Sequence, residues 1–268
     1  MPTKYLHRGD LAIHYEHTGA TTLPDVPPSL SRGAALVFVH GTGGNGRLWS
    51  RQLAHFGAGH SPVAIDLPGH GRSGGLDGPA SVAAAAGLLA SVLEALGAPP
   101  AVVVGHGLGG QIALALALDH APRVKAVATI GTTSAPPGAG EEIEVLREVV
   151  RGRRPQAFDT PLFRASPDMG VVREFWGEVV KTDPRVRLQD LEAYEASDLR
   201  ARLGEVVVPV RVLHGEEDRY CASSRSEEMV SALPNAILTS VAEAGHVAHL
   251  EQPEAVNAAI EQLVETAG

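Results

Sequence analysis

The 268-residue chain holds a single cysteine, Cys221. It can therefore form no disulfide within itself and no cysteine-rich metal site. Positive charge is also scarce: 22 Lys and Arg stand against 31 Asp and Glu, a formal charge of −9. That balance favours solubility and argues against nucleic-acid binding, which needs a concentrated basic face. The one basic cluster, residues 151–154, runs into Pro155 and reads as a solvated loop. The opening MPTKYLHRGD has no apolar segment of secretory type, so a cytoplasmic protein is expected. The longest apolar stretch, residues 80–93, is alanine-rich and amphipathic and meets Glu94, too weak a run to span a bilayer. The 12 histidines show no H-x-x-x-H pair, and no carboxylate cluster of metal-ligand type appears. Neither a metal nor a dinucleotide signature is present, and no cofactor is expected.

Apolar residues nevertheless make up 44% of the chain, enough for a packed core in one sizeable domain or in one domain with an insertion. Residues 4–17 alternate as a β-hairpin turning at Gly9-Asp10, and the Pro-, Ser- and Thr-rich residues 20–33 read as a loop. Short continuous apolar runs follow: ALVFV, PVAID, AVVVG, VKAVATI and PVRVLHG. Helical periodicity lies between and after them, at 81–96, 108–119, 223–233 and 254–264. Such alternation predicts a parallel sheet covered on both faces. It breaks over 134–205, where EEIEVLREVVR sets Ile143, Leu146 and Val150 on one face and several short, Pro- and Gly-punctuated helices follow. That stretch is too long for a bare loop. It is expected to form a helical insertion above the sheet.

Four local motifs stand out. HGTGG (40–44) follows a strand, where glycines free backbone N–H groups to face a developing negative charge. DLPGHGRS (66–73) makes a tight turn, and GHGLG (105–109) joins a valine-rich strand to an Ala/Leu-rich helix. The fourth is a pair, HGEED (214–218) with AGHVAHLEQPE (244–254).

In this order the motifs resemble the α/β-hydrolase superfamily over nearly the whole chain, particularly its small capped esterases, lactonases and C–C hydrolases. The resemblance implies an α/β fold, a mostly parallel twisted sheet flanked by helices. Residues 1–133 and 206–268 would be the core and 134–205 an inserted helical cap. It implies a small-molecule substrate, with no nucleic-acid or membrane partner; oligomeric state is not legible. The family's nucleophile elbow is G-x-S-x-G, and its acid and base follow along the chain. Carried over, the nucleophile position is Gly107, the acid Asp218 and the base His246. The backbone amides of Thr42 and Leu108 would be the oxyanion donors. His40, Gly41, Trp49, Phe175 and Trp176 are candidates for substrate binding, and Leu146, Val150, Phe158 and Phe163 for further pocket walls.

Elementary chemistry supports these roles. Asp218 and His246 each follow a strand end, and ligands of open parallel sheets bind at the carboxyl edge. An aspartate on one imidazole nitrogen fixes the tautomer and frees the other nitrogen as a base. Leu108 opens a helix, whose first amides favour an anion. Plainer readings compete at each position. Glu216 and Glu217 rival Asp218, and a loop histidine such as His246 is ordinarily inert. His40 reads as packing behind its loop, His70 as shaping its turn and His106 as the variable elbow position. His120 suits a helix end, His249 suits local structure, and Cys221 reads as packing.

Gly107 is the anomaly, because glycine cannot form an acyl-enzyme. Losing the nucleophile of a serine protease lowers turnover about a millionfold, about 8 kcal/mol of barrier. The chain as written cannot be an ordinary serine esterase. Three readings stay open. Glycine was introduced in place of serine; glycine is native and His246 with Asp218 works as a general base without a covalent step, in lyase, C–C hydrolase or cofactor-free oxygenase chemistry; or the protein only binds its ligand.

Overall fold

The computed structural model describes residues 3–20, 22–23, 26–158 and 161–268. Eight strands form one sheet: β1 (Thr3–Arg8), β2 (Leu11–His17), β3 (Ala35–Val39), β4 (Ser61–Ile65), β5 (Ala101–His106), β6 (Val124–Ile130), β7 (Val210–Gly215) and β8 (Ala236–Val241). Their order is β1-β2-β4-β3-β5-β6-β7-β8. The β1–β2 hairpin pairs antiparallel and lies antiparallel to β4, and every later pairing is parallel. The helices are α1 (Ser50–Phe56), α2 (Val82–Ala95), α3 (Leu108–Asp119), α4 (Gly140–Val150), α5 (Met169–Val179), α6 (Pro184–Glu195), α7 (Ser223–Ala232), α8 (Ala248–Glu251) and α9 (Pro253–Ala267).

The continuous apolar strands are buried on both faces because each alternates between two cores. Val37, Val39 and Val103 pack with residues of α2 and α3 on one side. Leu36, Phe38, Val102 and Val104 pack with residues of α1 and α9 on the other. Local signals set the helix ends. The Ser81 side chain accepts the Ala84 amide ahead of α2, and Asp183 caps α6, whose first residue is Pro184. At the β5–α3 junction the chain doubles back so closely that a β-carbon on Gly105 would lie 2.1 Å from the Gly109 carbonyl oxygen.

The expected strands, the hairpin and the four flanking helices form as the periodicity predicts. The stretch between β6 and β7 holds α4, α5 and α6, of 11, 11 and 12 residues, and then a six-residue 3-10 helix, Arg200–Glu205. One expectation changes. Val150 does not join Ile143 and Leu146 on the buried face: it sits in the last turn of α4 and is 37% exposed. The helix runs out over solvent before a partner reaches it. Among the described residues no helix is long and apolar enough to cross a membrane.

Candidate active site

Parallel strands bring their carboxyl ends to one edge, and the four motifs meet there. β3 runs into His40-Gly41-Thr42, β5 into Gly107, β7 into Asp218 and β8 into His246. Thr42, Gly107 and His246 border a cavity of about 480 Å³, part of it open to solvent. Thr42, His106, Gly107, Tyr220 and His246 line its floor; its roof includes Glu142, Phe175, Trp176, Arg187 and Tyr194 from the helices between β6 and β7.

Gly107 has φ 51° and ψ −116°, a conformation that L side chains rarely adopt. Its amide bonds the Ile130 carbonyl at 2.9 Å and its carbonyl accepts from Gly110 N, pinning the turn at both ends. A β-carbon built there meets one atom within 4 Å, the Nε2 of His246, at 3.7 Å. The position therefore has room for a small side chain and aims it at the imidazole. Leu108 is the first residue of α3, so its amide belongs to the helix turn that has no intrahelical acceptor.

His246 Nδ1 lies 3.0 Å from Asp218 Oδ2, while Asp218 Oδ1 accepts the amides of Tyr220 and Cys221 at 2.8 Å each. Burial alone would raise the Asp218 carboxyl. The imidazole's charge and hydrogen bond, with the two amides, outweigh that and hold it below the ordinary carboxylate range. Asp218 is thus an acceptor only, so His246 must donate from Nδ1, the tautomer that in a neutral ring places the lone pair on Nε2, the atom facing residue 107. Of the rival acids, Glu217 is engaged with the Ala165 amide and Glu216 is exposed.

The loop that carries His246 is braced from behind. Leu162 O accepts the His246 amide, and both Glu251 oxygens bind amides, those of Arg164 and Gly245. His106, expected as the variable elbow position, lines the cavity and bonds the His246 carbonyl through Nε2 at 3.2 Å. Its ring meets those of His246 and His249, each at 4.8 Å. Burial and then the neighbouring imidazoles keep His106 well below the ordinary histidine value and His249 at about 3. Both are neutral spacers.

Of the other sequence candidates, Phe175 and Trp176 border the cavity. Trp49 is fully buried and stacks on His249 at 4.4 Å, behind the site rather than in it. His40 and Gly41 are not among the lining residues; His40 Nδ1 bonds the Gly41 carbonyl, and its Nε2 accepts the Leu67 amide. Leu146 packs with Ile143 and Leu191. Phe163 is fully buried beneath Phe175, and Phe158 is 58% exposed. Cys221 is buried, and burial and the Asp218 charge push its thiol up to about 12, so it is inert packing.

Sequence reasoning missed Glu142, Tyr194, Tyr220 and Arg187. Tyr220 O–H donates to Glu142 Oε2 at 2.8 Å while its ring lies 4.7 Å from that of His246. The Tyr194 hydroxyl accepts the Thr133 amide, and the Arg187 guanidinium sits over the Trp176 ring at 5.8 Å. Only Tyr220, two residues after Asp218, had a positional signal. Among the described residues no group of three or more His, Cys, Asp or Glu could hold a metal.

A model of the alpha/beta hydrolase family matches residues 36–259, the span that contains all four motifs and the cavity. The chain belongs to the alpha/beta hydrolase family. It is 28% identical to the RutD protein of Azorhizobium caulinodans over 94% of this chain and 95% of that one. It is 29% identical to the 2-hydroxy-6-oxononadienedioate/2-hydroxy-6-oxononatrienedioate hydrolase of Burkholderia vietnamiensis, over 92% and 89%. Among solved structures, the malate-bound esterase of Thermogutta terrifontis superposes with a TM-score of 0.84 at 23% identity, over 100% of this chain and 99% of that one. That last likeness is one of fold. As an alpha/beta hydrolase the chain is read as acting on a small molecule.

Proposed function

We propose that this hydrolase acts on a small ester, lactone or related carbonyl compound, with His246 as base and Asp218 as the residue that orients it. The amides of Thr42 and Leu108 would stabilise the oxyanion, and residues 134–205 would cap the site and select the substrate. The supporting observation is the geometry at Gly107: an elbow conformation with an open β-direction aimed at His246 Nε2, 3.7 Å away. A serine hydroxyl placed there would be within reach of the base and beside the first amides of α3.

With glycine in that position the base works on water. His246 Nε2 takes a proton as the water oxygen attacks the carbonyl carbon. The tetrahedral oxyanion rests on the two amides. On collapse the imidazolium returns the proton to the leaving alkoxide. No covalent intermediate forms, so turnover is slow. A seryl residue at 107 would supply the missing covalent step, which favours reading the glycine as standing in for a serine.

Gly107→Ser tests this directly with p-nitrophenyl acetate and butyrate. The expected outcome is a rise in kcat of at least about a hundredfold, with a stoichiometric burst of nitrophenolate. No rise from a folded variant counts against the proposal. In the glycine parent, His246→Ala is expected to remove whatever turnover is measured; an unchanged rate would exclude His246 as the base.

A further inference from the structure

Asp190 lies in α6, outside the residues assigned above, and is fully buried. Its Oδ2 accepts the Gly43 amide at 2.8 Å and meets His70 Nε2, also at 2.8 Å. The other ring nitrogen of His70 faces the Pro68 carbonyl at 2.9 Å. A carbonyl and a carboxylate are both acceptors, so the ring must donate from both nitrogens and be an imidazolium. Burial opposes that charge, and Asp190 overcomes it, leaving His70 above the ordinary histidine value. Thr182, one residue before the Asp183 cap of α6, donates its hydroxyl to the Gly43 carbonyl at 2.9 Å. Both peptide groups of Gly43 are therefore held from the stretch between β6 and β7, one by α6 and one by the link that precedes it. Gly43 itself has φ 67°, and a β-carbon there would lie 2.6 Å from Arg187 Cγ, one turn before Asp190.

On the other side of Thr42, His40 fixes the Gly41 carbonyl. Its ring lies 4.7 Å from that of His70. Burial, then the His70 charge, lowers it to about 4, so it stays neutral with its proton on Nδ1. Thr42 thus hangs between two anchored glycines, one tied to the core and one to the insertion.

We propose that Asp190 is a positioning residue: through the Gly43 amide and the buried His70 pair it locks the 41–44 loop, so that the Thr42 amide points into the site only while α6 is docked. A buried ion pair contributes little net stability compared with apolar residues of the same volume, so geometry is the better account of its presence. Lifting α6 would release Gly43 and dissolve one side of the anion site, coupling access to competence. This rests on the reading of Thr42 as an oxyanion donor, and two independent measurements separate the two ideas.

The first is amide exchange by mass spectrometry in Asp190→Ala and in the double variant His70→Leu/Asp190→Leu, which removes both charges and restores an apolar filling. Residues 41–44 are expected to exchange at least about tenfold faster in both, even where the double variant melts no lower than the parent. The second is kcat toward p-nitrophenyl acetate in the Gly107→Ser background, expected to fall about 10- to 100-fold with KM within about threefold. A purely structural role predicts that the stable double variant keeps both loop protection and kcat. Exchange of 41–44 within about twofold of the parent in whichever variant folds overturns the positioning role. If Gly107→Ser is itself inactive, the hydrolytic proposal fails and exchange alone decides this one.

Discussion

At the scale of the residue, Gly107 sets activity against stability. Glycine tolerates φ 51°, ψ −116° without steric cost, whereas a residue with a β-carbon is strained there. Gly107→Ser is therefore expected to lower unfolding free energy by about 1–3 kcal/mol while raising turnover, read from urea denaturation alongside the esterase assay. In that background Asp218→Asn should cost kcat up to about ten-thousandfold. An asparagine can donate where the carboxylate only accepts, which allows the imidazole to present the wrong tautomer. The pH–rate profile of the same variant checks the cause, since a merely loosened loop would raise KM and leave the pH dependence in place.

At the scale of the element, close backbone approaches at the β5–α3 turn determine what the sheet edge tolerates. A methyl on Gly105 would sit 2.1 Å from the Gly109 carbonyl oxygen, a contact that only a shift of backbone can relieve. Gly105→Ala is expected to destabilise by at least ~2 kcal/mol, with a lower urea midpoint at unchanged slope. Gly177 is the contrast. It lies on the exposed face of α5 with nothing within 4 Å of a built β-carbon, so Gly177→Ala should stabilise by roughly 0.5–1 kcal/mol. Two glycines in regular elements, opposite signs: the difference is the neighbour, which sequence periodicity does not report.

At the scale of the whole molecule, buried imidazoles make stability depend on pH. His40 and His249 are neutral in the fold, at about 4 and about 3, and burial is the leading cause for both. Below about pH 6.5 the unfolded chain binds protons that the folded chain refuses, so stability declines as pH falls. Each contributes roughly 2 kcal/mol of loss by pH 5. His106 acts in the same direction. His70 is raised and acts oppositely, its contribution being present below about pH 6.5 and lost as pH rises through its folded value. With His17, which burial also lowers, four against one predicts a lower Tm at pH 5 than at pH 7.5, and an equal or higher Tm at pH 5 would contradict the count. Replacing His249 with Phe should flatten the slope.

Much of this molecule was readable along the chain. Apolar runs of strand length, helical periodicity between them and glycines at strand ends act locally or through simple periodicity. They foretold the sheet, the flanking helices and the convergence of Gly107, Asp218 and His246, because parallel strands necessarily deliver their carboxyl ends to one edge. The wall of the cavity was not readable. Leu146, Phe163 and Trp49 are as apolar as Phe175 and Trp176 yet pack elsewhere, and Val150 and Phe158 face outward. Periodicity says that a side chain is covered and is silent on what covers it. The neutrality of His106 and His249, the charge on His70 and the tie from Asp190 to Gly43 likewise arose only from packing, since each depends on burial and on partners scores of residues away. Short-range patterning thus decided which edge of the sheet gathers Gly107, Asp218 and His246. The docking of the helices between β6 and β7 decided the dielectric, the walls and the set of the loops there.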